Sequence, residues 1–284
     1  MNPLLALAEY GQSYWLDNLT REMLESGELA RRVREEGLRG VTSNPSIFHK
    51  AISGGEAYEE QIERLAREGR GAEGIYEALV VHDIRAACDV LRPVYDDTDG
   101  VDGFLSLEVS PHLVHDTRGT MEEARRLFAA VDRPNVFIKI PGSPAGFAAI
   151  EEMLFEGVNV NITLLFSIHA YEAVARAYLE ALDRRVEAGK SVDDVASVAS
   201  FFLSRIDVLT DSLLSQRLRS GDWDAQGPRP ETLMGRAAVA NAKLAYQSFK
   251  TLFSGERWER LAEEGARVQR VLWASTSTKN PLYS

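Results

Sequence analysis

Short apolar runs alternate with amphipathic stretches along the chain, the order expected of repeated strand–helix units and a parallel sheet. Seven runs read as strands, over residues 13–16, 40–42, 104–109, 136–140, 158–162, 195–202 and 271–274. Stretches 122–131, 145–155 and 168–186 read as helices. In the last of these Tyr171, Val174, Ala175, Tyr178 and Leu182 recur at helical spacing behind Ser167, a fitting N-cap. Helical signal is heaviest between the second and third strands, where 45–67 and 74–91 are separated by a turn-like Gly69-Arg70-Gly71. This helical insertion, about 45–95, is expected to pack outside the barrel. One linker-like loop, 220–230, is rich in Gly, Asp and Pro and is expected to join two helices of one domain. The predicted fold class is α/β, a (β/α)8 TIM-type barrel with about seven βα units present in a single domain. A flavodoxin-like open sheet is the competing architecture, and polar residues at strand C-termini favour the barrel.

Those polar residues carry the candidate chemistry. In Val136-Phe137-Ile138-Lys139-Ile140-Pro141 a lysine interrupts an apolar run, and a buried ammonium costs several kcal/mol unless neutralised or paired. Desolvation lowers a lysine's pKa and supplies the free amine that attacks a carbonyl to form a Schiff base; a structural lysine paired with a buried carboxylate fits the position too. Ser106 and Glu108 alternate with apolar neighbours, and Asn159, Asn161 and Thr163 alternate with Val160, Ile162 and Leu164, so each polar set shares one strand face. A glutamate and a threonine there can hold a water and shuttle protons, or simply hydrogen-bond loops. Asp17 closes the first strand and Asn44 follows the second; Asp17 reads either as a proton acceptor during carbon–carbon cleavage or as a helix N-cap. Ser200, Phe202 and Arg205 follow strand six, and Ser275, Ser277 and Lys279 follow strand seven, where barrels commonly bind phosphate. Arg205 offers bidentate donors and Lys279 a point charge, although an arginine opening a helix is more often a solvated surface residue.

Composition narrows the partners. The 284 residues carry 43 acidic and 32 basic side chains, a formal charge of −11 that repels nucleic acid and anionic membrane surfaces, so an anionic substrate needs a local cationic pocket. A lone Cys88 and an N-terminus without a signal pattern predict a cytoplasmic protein, and no apolar stretch is long enough to span a membrane. His112 and His115, with Asp116 beside them, lack a further ligand cluster, so no metal is expected. Signatures for a nucleotide or for a serine hydrolase are missing as well.

Seven segments in this order resemble the transaldolase family of the longer bacterial type, from about Tyr10 to the last residue. They are Gln12-Ser13-Tyr14-Trp15-Leu16-Asp17, Gly40-Val41-Thr42-Ser43-Asn44-Pro45, Leu107-Glu108-Val109, Phe137-Ile138-Lys139-Ile140-Pro141, Asn159-Val160-Asn161-Ile162-Thr163-Leu164-Leu165-Phe166, Ser200-Phe201-Phe202-Leu203-Ser204-Arg205 and Ala274-Ser275-Thr276-Ser277-Thr278-Lys279-Asn280-Pro281. The resemblance implies cofactor-free Schiff-base transfer of a dihydroxyacetone unit from a ketose phosphate to an aldose phosphate, in the non-oxidative pentose phosphate pathway. Lys139 is then the nucleophile, Glu108 and Thr163 hold the catalytic water, and Asp17 is the acid/base at the cleaved bond. Asn44, Asn161 and Ser200 position the dihydroxyacetone moiety, Phe202 shapes its pocket, and Arg205 and Ser275 bind phosphate. Shorter family members place an arginine where this chain has Ser277, so Lys279 is expected to supply that charge.

The resemblance also implies an eighth strand, whereas this sequence reaches Ser284 just beyond strand seven, so a C-terminally truncated form is expected rather than a short variant with two open strand edges. Sugar phosphates are the expected partners, and the sequence leaves the oligomeric state open, a homodimer included. Two other functions compete: a fructose 6-phosphate aldolase-like lyase that releases free dihydroxyacetone, and an inactive sugar-phosphate-binding fragment.

Overall fold

The computed structural model describes residues 2–224 and 226–280, and all seven predicted strands form in it, within one to three residues of their expected ends. Two compact units divide the chain: residues up to Leu113 together with Arg118–Lys139, and Val114–Thr117 together with the residues from Ile140 onward.

The first unit runs α1 (Pro3–Ala6), β1 (Tyr14–Asp17), α2 (Arg21–Glu25), α3 (Glu28–Glu36), β2 (Leu38–Thr42), α4 (Pro45–Gly54), α5 (Glu59–Arg67), α6 (Ala72–Asp97), β3 (Phe104–Glu108), α7 (Thr117–Val131) from its second residue and β4 (Val136–Pro141) as far as Lys139. Its strands pair in parallel in sequence order. Parallel neighbours need a crossover, and α6 supplies the one between β2 and β3: Val80, Ile84, Ala87, Leu91 and Val94 form a buried stripe, and the helix packs on both strands. Each of the larger ones, Val80, Ile84, Leu91 and Val94, contributes on the order of 1.5–3 kcal/mol when taken from water. The extra material is α4, α5 and the turn between them, which build a local core of Tyr58 from the turn and Leu65 from α5 with Leu79 of α6.

Beneath the polar strand ends lies an aromatic layer. Phe104 and Phe137 stack with centroids 4.2 Å apart, and Trp15 stacks on Phe137 at 6.3 Å. Trp15 fits only because its register partner is Gly40, where a Cβ would lie 2.3 Å from the indole. Because side chains alternate across a strand, the face that carries Trp15, Phe104 and Phe137 presents Asp17, Glu108 and Lys139 further along.

The second unit runs α8 (Pro144–Glu156), β5 (Val160–Leu165), α9 (Ile168–Glu187), β6 (Ser197–Phe202), α10 (Ser204–Ser220), α11 (Ala237–Leu252), α12 (Glu256–Glu263) and β7 (Arg270–Ala274), with β5, β6 and β7 parallel in that order. Ser167 caps α9 as predicted, its Oγ accepting from Ala170 N at 3.2 Å, and Tyr171, Val174, Ala175, Tyr178 and Leu182 are all buried. The loop over 220–230 does lie between two helices, α10 and α11.

Two local readings are corrected. Strict alternation through β5 holds only to Thr163: Leu164 has φ +62° and is 40% exposed, and the register slips so that Ile162 faces Ala199 while Leu165 faces Phe201. A residue in the left-handed region turns the strand and re-aims its neighbours. Helix α6 also extends through Pro93 to Asp97, six residues beyond its predicted end. Among the described residues no helix is long and apolar enough to cross a membrane.

Candidate active site

The strand pairing of the first unit places Lys139 directly opposite Glu108, and their side chains meet, Nζ to Oε2 at 3.2 Å. Lys139 is 7% exposed, so the amine is held in a low-dielectric setting by a carboxylate and by one further acceptor, the Ser43 carbonyl at 3.2 Å. Burial is the main force on Glu108 and pushes its carboxyl above the usual value; the neighbouring Lys139 opposes that shift, and the charge of Asp17 adds to it. The same carboxylate helps burial raise the Tyr76 phenol. Asp17 accepts a hydrogen bond from Thr42 Oγ1 at 2.7 Å across the β1–β2 pairing.

Asn44 performs the local task that its type and place dictate: its Oδ1 accepts from Ile47 N at 3.0 Å and caps α4. The cap uses the oxygen and not the Nδ2 donors. Asp17, the residue for which a capping role was also open, is bonded to Thr42 at the end of its strand.

In the second unit Asn161 and Ser200 are brought together, Ser200 Oγ donating to Asn161 Oδ1 at 2.7 Å with both residues buried. Thr163, two residues on from Asn161, is 1% exposed, and its Oγ1 has no hydrogen-bond partner among the described residues. A buried hydroxyl in that state is costly, about 1–3 kcal/mol, unless a water or a ligand meets it. Asn159 lies outside β5, where its Oδ1 accepts from Ala196 N at 2.8 Å and ties down the approach to β6.

Late in this unit Ser204 and Ser275 share a hydroxyl–hydroxyl bond of 2.7 Å, and Ser204 N also donates to the Ser275 carbonyl at 3.0 Å. This clasp fixes the start of α10, where Arg205 follows with its guanidinium 5.2 Å from the Phe202 ring centroid. Phe166 packs on the other partner of that contact, 5.2 Å from Phe202. Ser275 itself sits at φ +55°, a strained position for a non-glycine residue. Lys279 is exposed and donates to Ser277 Oγ at 2.7 Å. A helix N-terminus flanked by an arginine and hydroxyls can accept a phosphate group.

Sequence reasoning passed over Thr42, Ser43 and Tyr76. The first two stand in the segment that supplied Asn44, and the period-two pattern from Gly40 already places Thr42 on the face of the polar groups.

Over residues 14–284 the chain matches the family model described as Transaldolase/Fructose-6-phosphate aldolase. A protein of Trichodesmium erythraeum (strain IMS101) named Transaldolase is 48% identical over 283 residues, covering 100% of this chain and 74% of that protein. Transaldolase 2 of Nostoc punctiforme is 50% identical over 284 residues, with coverage of 100% and 74%. A Transaldolase of Parafrankia sp. is 49% identical over 279 residues, with coverage of 98% and 73%.

Proposed function

Because the chain belongs to the transaldolase/fructose-6-phosphate aldolase family and is an enzyme with transaldolase activity on sugar phosphates, we propose that Lys139 is the amine through which it works. Its strands and helices follow the TIM-type (β/α) fold of that family. The observation that carries the assignment is the buried contact of Lys139 with Glu108 at the C-terminal ends of paired parallel strands, where barrel enzymes place their chemistry.

The Lys139 amine adds to the carbonyl of the donor ketose phosphate to give a carbinolamine. Glu108, whose proton affinity burial raises, protonates the departing hydroxyl; water leaves and an iminium remains. Thr163 offers its buried hydroxyl to that water. Asp17 takes the proton from the hydroxyl next to the bond being cleaved, the aldose leaves, and the bonding pair stays on the enzyme as an enamine. The enamine carbon then adds to the carbonyl of an aldose phosphate acceptor, whose oxygen recovers the proton from Asp17. Water, activated by Glu108, hydrolyses the new iminium and frees Lys139.

Asn44, Asn161 and Ser200 position the dihydroxyacetone unit, the first through an amide nitrogen that helix capping does not use. Phe202 shapes the pocket, and Arg205, Ser275 and Lys279 take the phosphate. The reaction belongs to the non-oxidative pentose phosphate pathway, and the one cysteine, Cys88, buried and unpaired, suits a reducing cytoplasm.

Borohydride reduction in the presence of fructose 6-phosphate tests the assignment. An adduct mapping to Lys139 and lost in Lys139→Ala is expected, and an adduct that persists in that variant would sink it. Transfer to erythrose 4-phosphate exceeding release of free dihydroxyacetone is the expected partition, and the opposite ratio would mark a lyase.

A further inference from the structure

Among the described residues Lys139 has two polar contacts, one of them a carboxylate. The other is the carbonyl of Ser43, 3.2 Å from Nζ, in a residue 1% exposed immediately after β2. A backbone carbonyl at a strand end ordinarily moves with the loop that follows, whereas this one is pinned. Ser43 Oγ donates to the Ser106 carbonyl on β3 at 2.7 Å, so the side chain ties its own residue to the neighbouring strand. On one side Thr42 is anchored to Asp17 at 2.7 Å, and on the other Asn44 caps α4. Three consecutive residues thereby fix one carbonyl, whose partner is the amine nitrogen.

Resting on the assignment of Lys139 as the reacting amine, we infer that Ser43 is a positioning residue: its carbonyl takes one N–H of the amine while Glu108 takes the other, which leaves the nitrogen lone pair aimed at the substrate carbonyl. A neutral amine has two N–H bonds and one lone pair, so two fixed acceptors determine where the lone pair points. Once water has left, the iminium nitrogen keeps a single N–H. Ser43 O holds it, and Glu108 is released for proton transfer to and from water. The Ser43 side chain touches no reacting atom and acts only by holding its own carbonyl in place.

The test is single-turnover borohydride trapping with saturating fructose 6-phosphate on the full chain. Ser43→Ala removes the tether to β3, and trapping is expected to slow about tenfold, the scale of effect that a fraction of an ångström of misplacement brings. The adduct still maps to Lys139, and KM for the acceptor stays within about twofold, because uniform binding is untouched. Ser43→Thr restores the hydroxyl and is expected to recover the rate to within about twofold of the parent. Should Ser43→Ala fold poorly, Ser43→Cys keeps the volume, donates only weakly, and carries the same expectation of slowed trapping. Trapping at the parent rate in the Ala or Cys variant, or equal slowing in the Thr and Ala variants, overturns the inference. An adduct on a residue other than Lys139 in the unaltered protein overturns the underlying assignment instead, so the two failures are distinguishable.

Discussion

The polar groups of the first unit are bonded to one another: Lys139 to Glu108 and to the Ser43 carbonyl, Thr42 to Asp17, Ser43 to the Ser106 carbonyl. In the second unit Asn161 and Ser200 form such a pair, but Thr163 keeps a buried hydroxyl with no partner among the described residues, Arg205 lies across Phe202, and Lys279 stands exposed beside Ser277. On the proposed assignment the contrast separates two tasks. Covalent chemistry needs an amine and a proton carrier whose positions are fixed before substrate arrives, because reorganising them at the moment of reaction costs rate. Binding water and a phosphate needs donors that a ligand can still engage. Substitutions in the first set should therefore alter rate and stability together, while those in the second should divide the two.

The largest effect is expected at Lys139. Lys139→Ala should lower kcat/KM by at least about 10³-fold, since the proposed covalent route runs through this amine. It also leaves Glu108 buried without its ion partner, so a shift of thermal midpoint should accompany the lost activity. An unchanged midpoint would mean that the pair contributes nothing to the fold.

Glu108→Gln comes next, with a loss of about 10² to 10³-fold in imine formation, because shape is kept and proton transfer is removed. It also carries a pH signature. Burial raises the folded-state pKa of Glu108 above its ordinary 4.5, so at low pH both folded and unfolded chains hold the proton. As pH rises above 4.5 the unfolded chain gives up its proton first, and the contribution of this group to stability falls until the raised folded pKa has been passed. Stability of the parent relative to Glu108→Gln should therefore decline with rising pH across that window, as followed by denaturant unfolding. A constant difference would show that the carboxyl is not raised.

Much of this was legible in the amino-acid order. A lysine inside Val136-Phe137-Ile138-Lys139-Ile140-Pro141 announces itself because an apolar strand has no reason to keep one, and Glu108 follows from the period of two. That these two face each other depends on strand register, which no single segment contains. The Ser43 carbonyl was hidden for a different reason: every residue has one, so composition carries no trace of which is pinned. At Leu164 the alternation itself misled, since a leucine in a strand gives no sign that its φ will be positive. The extent of α6 beyond Leu91 was obscured by Pro93, a helix breaker in the interior that is tolerated here near the end of the helix.

Thr163→Val gives the sharpest form of the contrast. The hydroxyl has no partner to lose, so stability should hold or rise by up to about 1 kcal/mol, while imine formation slows about a hundredfold with the water unheld. Ser200→Ala in the same unit removes the donor to Asn161 and should cost about 1–2 kcal/mol by chemical denaturation. Equal destabilisation by the two substitutions would erase the distinction drawn between bonded and unbonded groups.

At the phosphate end the expected losses are smaller and confined to binding. Arg205→Ala should raise KM for phosphate-bearing substrates about tenfold, the worth of one charge-assisted hydrogen bond, while leaving cleavage of unphosphorylated donors near the parent value. Lys279→Ala should do the same about threefold, because its ammonium is exposed, already bonded to Ser277, and acts through a well-screened point charge. Raising the ionic strength provides the check: the advantage of the parent over Lys279→Ala should shrink with added salt, whereas the advantage over Arg205→Ala, if its guanidinium makes direct paired bonds to phosphate, should persist. A salt dependence equally steep for both would show that Arg205, like Lys279, acts on the phosphate through screened charge and not through direct paired bonds.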